Sequence, residues 1–382
     1  MDVLRSLIPE WSKPFLRFIR YPQERRRFFR EWGLVKIQDD AIAKLDASSN
    51  HLIVFLVPGA DRETGNETIS GGVLSLVSLC EETARLEQTH HAVTIMCTFP
   101  GERLLTRHNN FENSTPVFRF EQLPQYFVKL ASILIHIPEF LADQFIKRLS
   151  DSEMAWLRSL KQVHVNIINA NILLMPPVES IRAMHSITSK ITITAAHSRY
   201  CTPYYRSLYG FPLHKFSAWI SPEQYVRREW REKSNLLVVS PDGNEHRDRI
   251  LDIIKRDGSV QVMVLQGLTH QDFKEKISNA KWALTFGEGL DGYILEPIFS
   301  GAIGFAVYNE DFFTEDFKEM DGIYQNYEMM ATRLMDDIRQ WGSPSEFTAI
   351  QQRQFDICAK HYNSREYTEN IRKFYEGDYT FK

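Results

Sequence analysis

The chain has 382 residues, enough for two cores, and its 43% hydrophobic and 25% charged residues are the balance of an ordinary soluble globular protein. No run of 18 uncharged apolar residues occurs, which excludes a membrane-spanning helix, and the opening MDVLRSLIPEWSKPF lacks the apolar core and cleavage site of an export signal. The net charge of −4 divides unevenly: residues 1–36 hold nine Lys/Arg against four Asp/Glu, so the remainder carries −9 and repels nucleic acid.

The first segment, FLRFIRYPQERRRFFREW (15–32), sets arginines among Phe15, Phe18, Ile19, Phe28, Phe29 and Trp32. That mixture suits a helix lying on an anionic membrane surface. Pro9, Pro14 and Pro22 break the extension into short pieces, and an extension packed on the domain with solvated arginines is the alternative. Residues 1–38 are therefore set apart from a first domain over 39–222. From residue 51 the strand HLIVFLVPG leads through a polar loop ending in ISGG to the helix VLSLVSLCEETARLEQ and the strand AVTIMCTF. A helical or mixed stretch, YFVKLASILIHIPEFLADQFIKRL, precedes the strands VHVNIINANILL and ITITAAHSRYC. Continuous apolar strands alternating with helices belong to parallel sheet covered on both faces.

The charged segment SPEQYVRREWREKS reads as a hinge, with a second domain over 223–382. Its series is strand SNLLVVSP, helix HRDRILDIIKR, strand VQVMVLQG, the Thr269-capped helix THQDFKEKISNA and strand KWALTF. A tail with aromatics at helical spacing reads as core and domain-bridging helix. Two doubly wound α/β domains facing a cleft are the architecture expected. Cys80, Cys97, Cys201 and Cys358 lie far apart without C-x-x-C spacing, as reduced cytosolic thiols do. His90–His91 has no partners at metal spacing and no D-x-D occurs, so no metal site is expected.

The stretch LTFGEGLDGYILEPIFSGAIGFAV (284–307) reads strand, glycine turn, short helix, strand. Gly287, Gly289 and Gly292 match the dinucleotide fingerprint G-x-G-x-x-G, and Glu310 and Asp311 stand where its ribose-binding acid belongs. That fingerprint opens its domain, however, whereas three strands of the second half come first here, and Gly301 ends the helix early. Pro297 fits a helix's first turn, which puts Glu296 at the helix mouth, where free N–H groups and the positive dipole end face an anion. A carboxylate there can accept hydrogen bonds from both hydroxyls of a ribose while phosphates take the N–H groups. Glu288 lies in the loop, toward a sugar beyond the diphosphate, and Gly287 and Gly289 let the backbone approach the ligand without Cβ interference.

This segment resembles E-G-F-G-L-x-x-x-E-A-x-x-x-G-x-P-V of retaining GT-B glycosyltransferases, glycosyltransferase family 4 above all. Glu288 and Glu296 fall on its two glutamates and Gly301 on its helix-ending glycine; the likeness is close from VLQGLTH to this turn and holds elsewhere in outline. It implies transfer of a sugar from a nucleotide diphosphate sugar, a UDP-hexose by preference, to a glycan or lipid-linked hydroxyl. Retention of configuration, no metal or other cofactor, and a place in bacterial surface polysaccharide assembly, such as O-antigen of lipopolysaccharide, belong to the same implication. Glu296 would then bind the nucleotide ribose, and Glu288 the donor sugar, beside the amides of Gly289 and Leu290. Gly71 and Gly72 would approach the diphosphate, and His197 would face the transferred sugar or stay in the core with a backbone partner.

The Arg and Lys with which that family neutralises the diphosphate have no full match; Arg247 or Arg249 of PDGNEHRDRI stands nearest, each otherwise an exposed helix arginine. Asp291 touches the donor or caps the helix. Catalysis by positioning and electrostatics, with no covalent nucleophile, is implied. Taken with the charge of the basic N-terminal segment, this reads as a cytoplasmic protein held at the inner membrane face by that segment. The alternatives are another GT-B enzyme such as a nucleotide-sugar epimerase or phosphorylase, an NAD-dependent oxidoreductase, and a non-catalytic scaffold.

Overall fold

A computed structural model describes residues 21–46, 48–59, 70–102 and 117–382. Residues 1–20 of the basic extension and residues 60–69 of the polar loop lie outside the described residues.

Seven apolar runs of the first half pair in parallel: β1 (His51–Val57), β2 (Val93–Thr98), β3 (Val117–Arg119), β4 (Ser132–Pro138), β5 (Gln162–Asn169), β6 (Lys190–Ala195) and β7 (Leu213–Lys215), in the order β3-β2-β1-β4-β5-β6-β7. The stretch read as helical or mixed puts its apolar run into β4, at the centre of the sheet, with one-turn helices on either side. Ile133, Ile135 and Ile137 are buried there; stiff β-branched side chains suit a strand paired on both edges. A second parallel sheet holds β8 (Ser234–Val239), β9 (Gln261–Val264), β10 (Ala280–Leu284), β11 (Ile303–Val307) and β12 (Ile323–Tyr324), in the order β12-β11-β10-β8-β9.

Helices of seven residues or more among the described residues are α1 (Pro22–Ile42), α2 (Gly71–Arg85), α3 (Asp151–Ser159), α4 (Pro203–Tyr209), α5 (Arg247–Asp257), α6 (His270–Asn279), α7 (Gly292–Phe299), α8 (Tyr327–Gln340), α9 (Pro344–His361) and α10 (Ser364–Glu376). The segment between the sheets is fastened to the second half by Lys233, whose buried Nζ donates to the carbonyls of Ser278, Ala280 and Ser300 at 2.8, 3.1 and 2.8 Å.

The aromatic tail forms two helices. Tyr367, Ile371 and Phe374 of α10, at i, i+4 and i+7, pack with Ile53, Phe55 and Leu76 of the first half. The Phe374 ring meets Phe216 edge-on at 5.1 Å. The C-terminus thus returns to the sheet where the chain began, and a single apolar cluster runs from β1 and β5 through Tyr200 to Leu290, Ile294 and Phe299 of the second half. That shared core sets the carboxyl ends of β5 and β6 opposite the glycine turn.

Candidate functional site

In the second sheet β8 and β10 are neighbours while β9 and β11 lie outward of them on opposite sides. A crevice opens beyond the carboxyl ends of strands at such a reversal. Two loops meet there: Ser240–Pro241–Asp242 after β8, and Thr285–Asp291 after β10. The Ser240 hydroxyl accepts from the Phe286 N–H at 3.0 Å, and the Thr285 hydroxyl donates to Asp291 Oδ2 at 2.9 Å and accepts from Gly287 N–H. Asp291 is the N-cap of α7, its Oδ1 accepting from Tyr293 N–H at 2.8 Å. Burial pushes its carboxyl up to about 7; the Asp242 and Glu288 charges add to the rise and the Thr285 hydroxyl opposes it.

Gly287 and Gly289 are required by the protein's own packing as well. Gly289 has φ +92°, and a Cβ on it would strike the Phe313 ring. A Cβ on Gly287 would lie 2.8 Å from Asp242 Oδ2 and 3.0 Å from Asp291 Oδ2.

A correction to the sequence reading concerns Glu296. The helix begins at Gly292, so Pro297 lies inside it rather than in its first turn, and Glu296 sits a turn further in than expected. Helical side chains lean toward the N-terminus, and this one reaches back to the helix mouth: its Oε1 lies 2.6 Å from where a Cβ of Gly292 would be. Its Oε2 meets His270 Nε2 at 3.4 Å. The carboxylate thus arrives at the mouth through side-chain direction.

From the first half, Asn171 follows β5 and donates from Nδ2 to Glu288 Oε1. Its backbone N–H donates to Glu139 Oε1 at 3.0 Å. Glu139 follows β4 and is buried. Burial raises its carboxyl to about 7, the backbone N–H groups of Glu139, Ala170 and Asn171 opposing and Glu288 adding to the rise. Glu288 is itself raised, first by burial and then by Asp242.

His197 follows β6 and shares a narrow crevice with Leu290, Lys215 and Tyr362. Its Nδ1 lies 3.4 Å from the Tyr362 hydroxyl. Burial, with Lys215 adding, lowers its imidazole to about 4, so it is neutral.

Of the two candidate arginines, Arg247 opens α5 with its guanidinium 5.9 Å from the centre of the Phe286 ring. Arg249 points to solvent, paired through both nitrogens with the exposed Glu328. Gly71 and Gly72 open α2 behind the Ser70 cap, with open space or distant contact where a Cβ would stand. The structure thus gathers Glu288, Leu290, Asp291, Glu296 and Arg247 around one turn, brings His197 to it from the first half, and leaves Arg249 outside.

Sequence reasoning missed Glu139, Asn171, Asp242 and His270. A signal existed for one: VHVNIINAN places asparagines inside an otherwise apolar strand, and Asn166 and Asn169 are fully buried. Among the described residues the Asn169 amide, Tyr200 hydroxyl, Asp242 Oδ2 and Arg247 Nε are buried without hydrogen-bond partners, polar groups suited to a polar ligand. No group of three or more His, Cys, Asp or Glu placed to hold a metal occurs among the described residues.

No protein-family model matches the sequence, and no curated protein matches it. Solved structures do resemble it. Alr3699/HepE of Anabaena in complex with UDP superposes with a TM-score of 0.54 at 8% identity, over 85% of this chain and 99% of that one. The same protein in complex with UDP-glucose gives 0.53 at 9% identity, over 85% and 99%. Sucrose-phosphate synthase of Thermosynechococcus elongatus gives 0.52 at 9%, over 86% and 98%. Such identities speak to fold alone: two parallel α/β sheets facing a cleft, the GT-B arrangement.

Proposed function

We propose that the chain is a glycosyltransferase that moves a sugar, from a UDP-hexose in the first instance, to a hydroxyl of a glycan or lipid-linked acceptor with retention of configuration. The observation that carries this reading is the turn after β10, where Glu288 meets Asn171 of the first half, the Glu296 carboxylate reaches back to the mouth of α7, and Leu290 borders the crevice of His197. In this reading Glu296 accepts from the ribose hydroxyls, and the first amides of α7 with Arg247 meet the diphosphate. Glu288 and the Gly289 and Leu290 amides meet the sugar, beside a neutral His197 that can bond to it without adding charge. Gly71 and Gly72 offer backbone N–H groups from the first half. The structures complexed with UDP and UDP-glucose support the donor class.

No metal ion or covalent nucleophile is part of the proposal. Departure of the diphosphate toward fixed N–H dipoles and Arg247, with the acceptor held on the same face, relies on positioning and preorganised charge. An NAD-linked oxidoreductase is disfavoured because the glycine turn follows the third strand of its sheet and opens a helix of only eight residues. Phe28, Phe29 and Trp32 are exposed along α1 beside Arg26, which supports attachment of this cytoplasmic enzyme to an anionic inner membrane face in surface polysaccharide assembly. No described helix is long and apolar enough to cross a membrane.

The test is release of nucleoside diphosphate from a panel of UDP-, GDP- and ADP-sugars, with and without glycan and lipid-linked acceptors. Acceptor-dependent release, with the anomeric configuration of the product read by NMR, is expected. Epimerised donor without acceptor would replace the proposal with an epimerase.

A further inference from the structure

We propose that Asn171, seated on Glu139, is the positioning residue that orients Glu288 toward the donor sugar; the inference rests on the nucleotide-sugar reading above. Asn171 Oδ1 accepts from Leu173 N–H at 2.9 Å. That bond fixes which way the amide faces and leaves Nδ2 to donate to Glu288 Oε1. The backbone N–H of the same residue donates to Glu139 Oε1 at 3.0 Å. Since Glu139 stands at the end of β4 and Asn171 just beyond β5, the neighbouring strand, the loop carrying the amide is tied to the sheet.

One neutral residue thus serves two carboxylates. An Asp at 171 would add a fifth carboxylate to Asp242, Asp291, Glu139 and Glu288, while a Lys would offer a cation that competes with the diphosphate contacts. The bond to Asn171 occupies one oxygen of Glu288 and sets the carboxylate plane, leaving the other oxygen to accept from a sugar hydroxyl. Because Asn171 and Glu288 come from opposite halves, Glu288 is fully oriented only when the halves meet. Recognition of the sugar is thereby coupled to cleft closure, separately from the Glu296 contact to the nucleotide.

The experiment compares full-length wild type with Asn171→Ala by calorimetry, using UDP, UDP-glucose, GDP and GDP-mannose as probes between about pH 6 and 8. In Asn171→Ala the nucleoside diphosphate should bind within about twofold of wild type, while the extra affinity conferred by the sugar falls about tenfold. The pH dependence of nucleotide-sugar binding should move upward, because Glu288 loses a donor that favours its charged form while Asp242, Glu139 and Asp291 still face it. Glu139→Gln, which keeps an acceptor for the Asn171 N–H, should retain most of the sugar preference, and Glu139→Ala should not.

Equal sugar preference and an unshifted pH profile in Asn171→Ala would overturn the role of Asn171 and leave the nucleotide-sugar reading standing. So would parallel loss of diphosphate and nucleotide-sugar binding with a lowered melting temperature, the mark of a purely structural residue. A wild type that binds nucleotides without preferring the sugar form would overturn it too. A wild type that binds none of the four probes would sink the reading itself, and the role of Asn171 with it.

Discussion

Glu296 Oε2 lies 3.4 Å from His270 Nε2, and both side chains are almost wholly buried. His270 is the first residue of α6 and Gly292 the first of α7, so the carboxylate sits between two helix N-termini, a favourable place for negative charge. The imidazole fixes the carboxylate plane, so the rotamer is set without a ligand; in the proposed reading it is ready for a ribose. His270→Ala should therefore weaken binding of a nucleoside diphosphate by about three- to tenfold, the worth of one hydrogen bond. Calorimetry on the folded variant reads this directly, and unchanged affinity would remove His270 from the account.

Arg247 and Arg249 stand two residues apart and face different surroundings. Arg247 lies against Phe286 with a buried Nε, whereas Arg249 is held in solvent by Glu328. Arg247→Ala should cost about tenfold or more in UDP affinity, because charge-assisted bonds to phosphate are the strong ones. Arg249→Ala should change it by less than about twofold, as befits an exposed pair. The reverse ranking in a binding titration would misplace the diphosphate.

Much of the site was legible because it is local. The turn from Gly287 to Gly301 carries its glycines, its cap and both glutamates within one segment, so the strand before it, the glycines around it and the resemblance of the whole segment to a glycosyltransferase motif could together propose it. The first-half contribution was not legible, since Glu139, Asn171 and Glu288 meet only through the order of β4 and β5 and the packing of the two halves. The error over Pro297 has a different source. Spacing places a Cα, but the direction of the side chain decides where a carboxylate ends, and Glu296 reaches the helix mouth from its second turn. The strand β4 was ambiguous because its short apolar run, flanked by one-turn helices, fits both periods; pairing on both edges settled it.

Stability should respond to pH through Glu139. Its carboxyl lies near 7 in the folded chain, against about 4.3 in an unfolded one. Between those values the folded chain holds the proton and the unfolded chain has released it. The contribution is therefore complete below about pH 4 and is lost as pH rises through 7. His197 works oppositely: its imidazole, lowered to about 4, favours the folded state above about pH 6.5, and that contribution is lost as pH falls toward 4. Urea unfolding of Glu139→Gln and wild type should accordingly show the variant gaining on wild type between about pH 5 and 8. A constant difference across that range would contradict the buried, neutral state of Glu139.

Gly289→Ala tests the turn itself. A methyl group at φ +92° is strained, and here it also meets the Phe313 ring. The substitution should cost about 1–3 kcal/mol of stability. Nucleotide-sugar binding should weaken as well, since Glu288 and the Leu290 amide hang from the same turn. Normal stability, read from the urea midpoint, would mean that the turn adapts and that its geometry is not the constraint argued above.

The most direct test of the central claim is a calorimetric titration of UDP, UDP-glucose and NAD into wild type and Glu296→Ala, with folding checked by circular dichroism. The account predicts that the nucleoside diphosphate binds wild type and loses about tenfold or more in the variant, in keeping with loss of charge-assisted hydrogen bonds of roughly 1.5–3 kcal/mol. Binding of NAD in its place, or UDP affinity that Glu296→Ala leaves untouched, would contradict it.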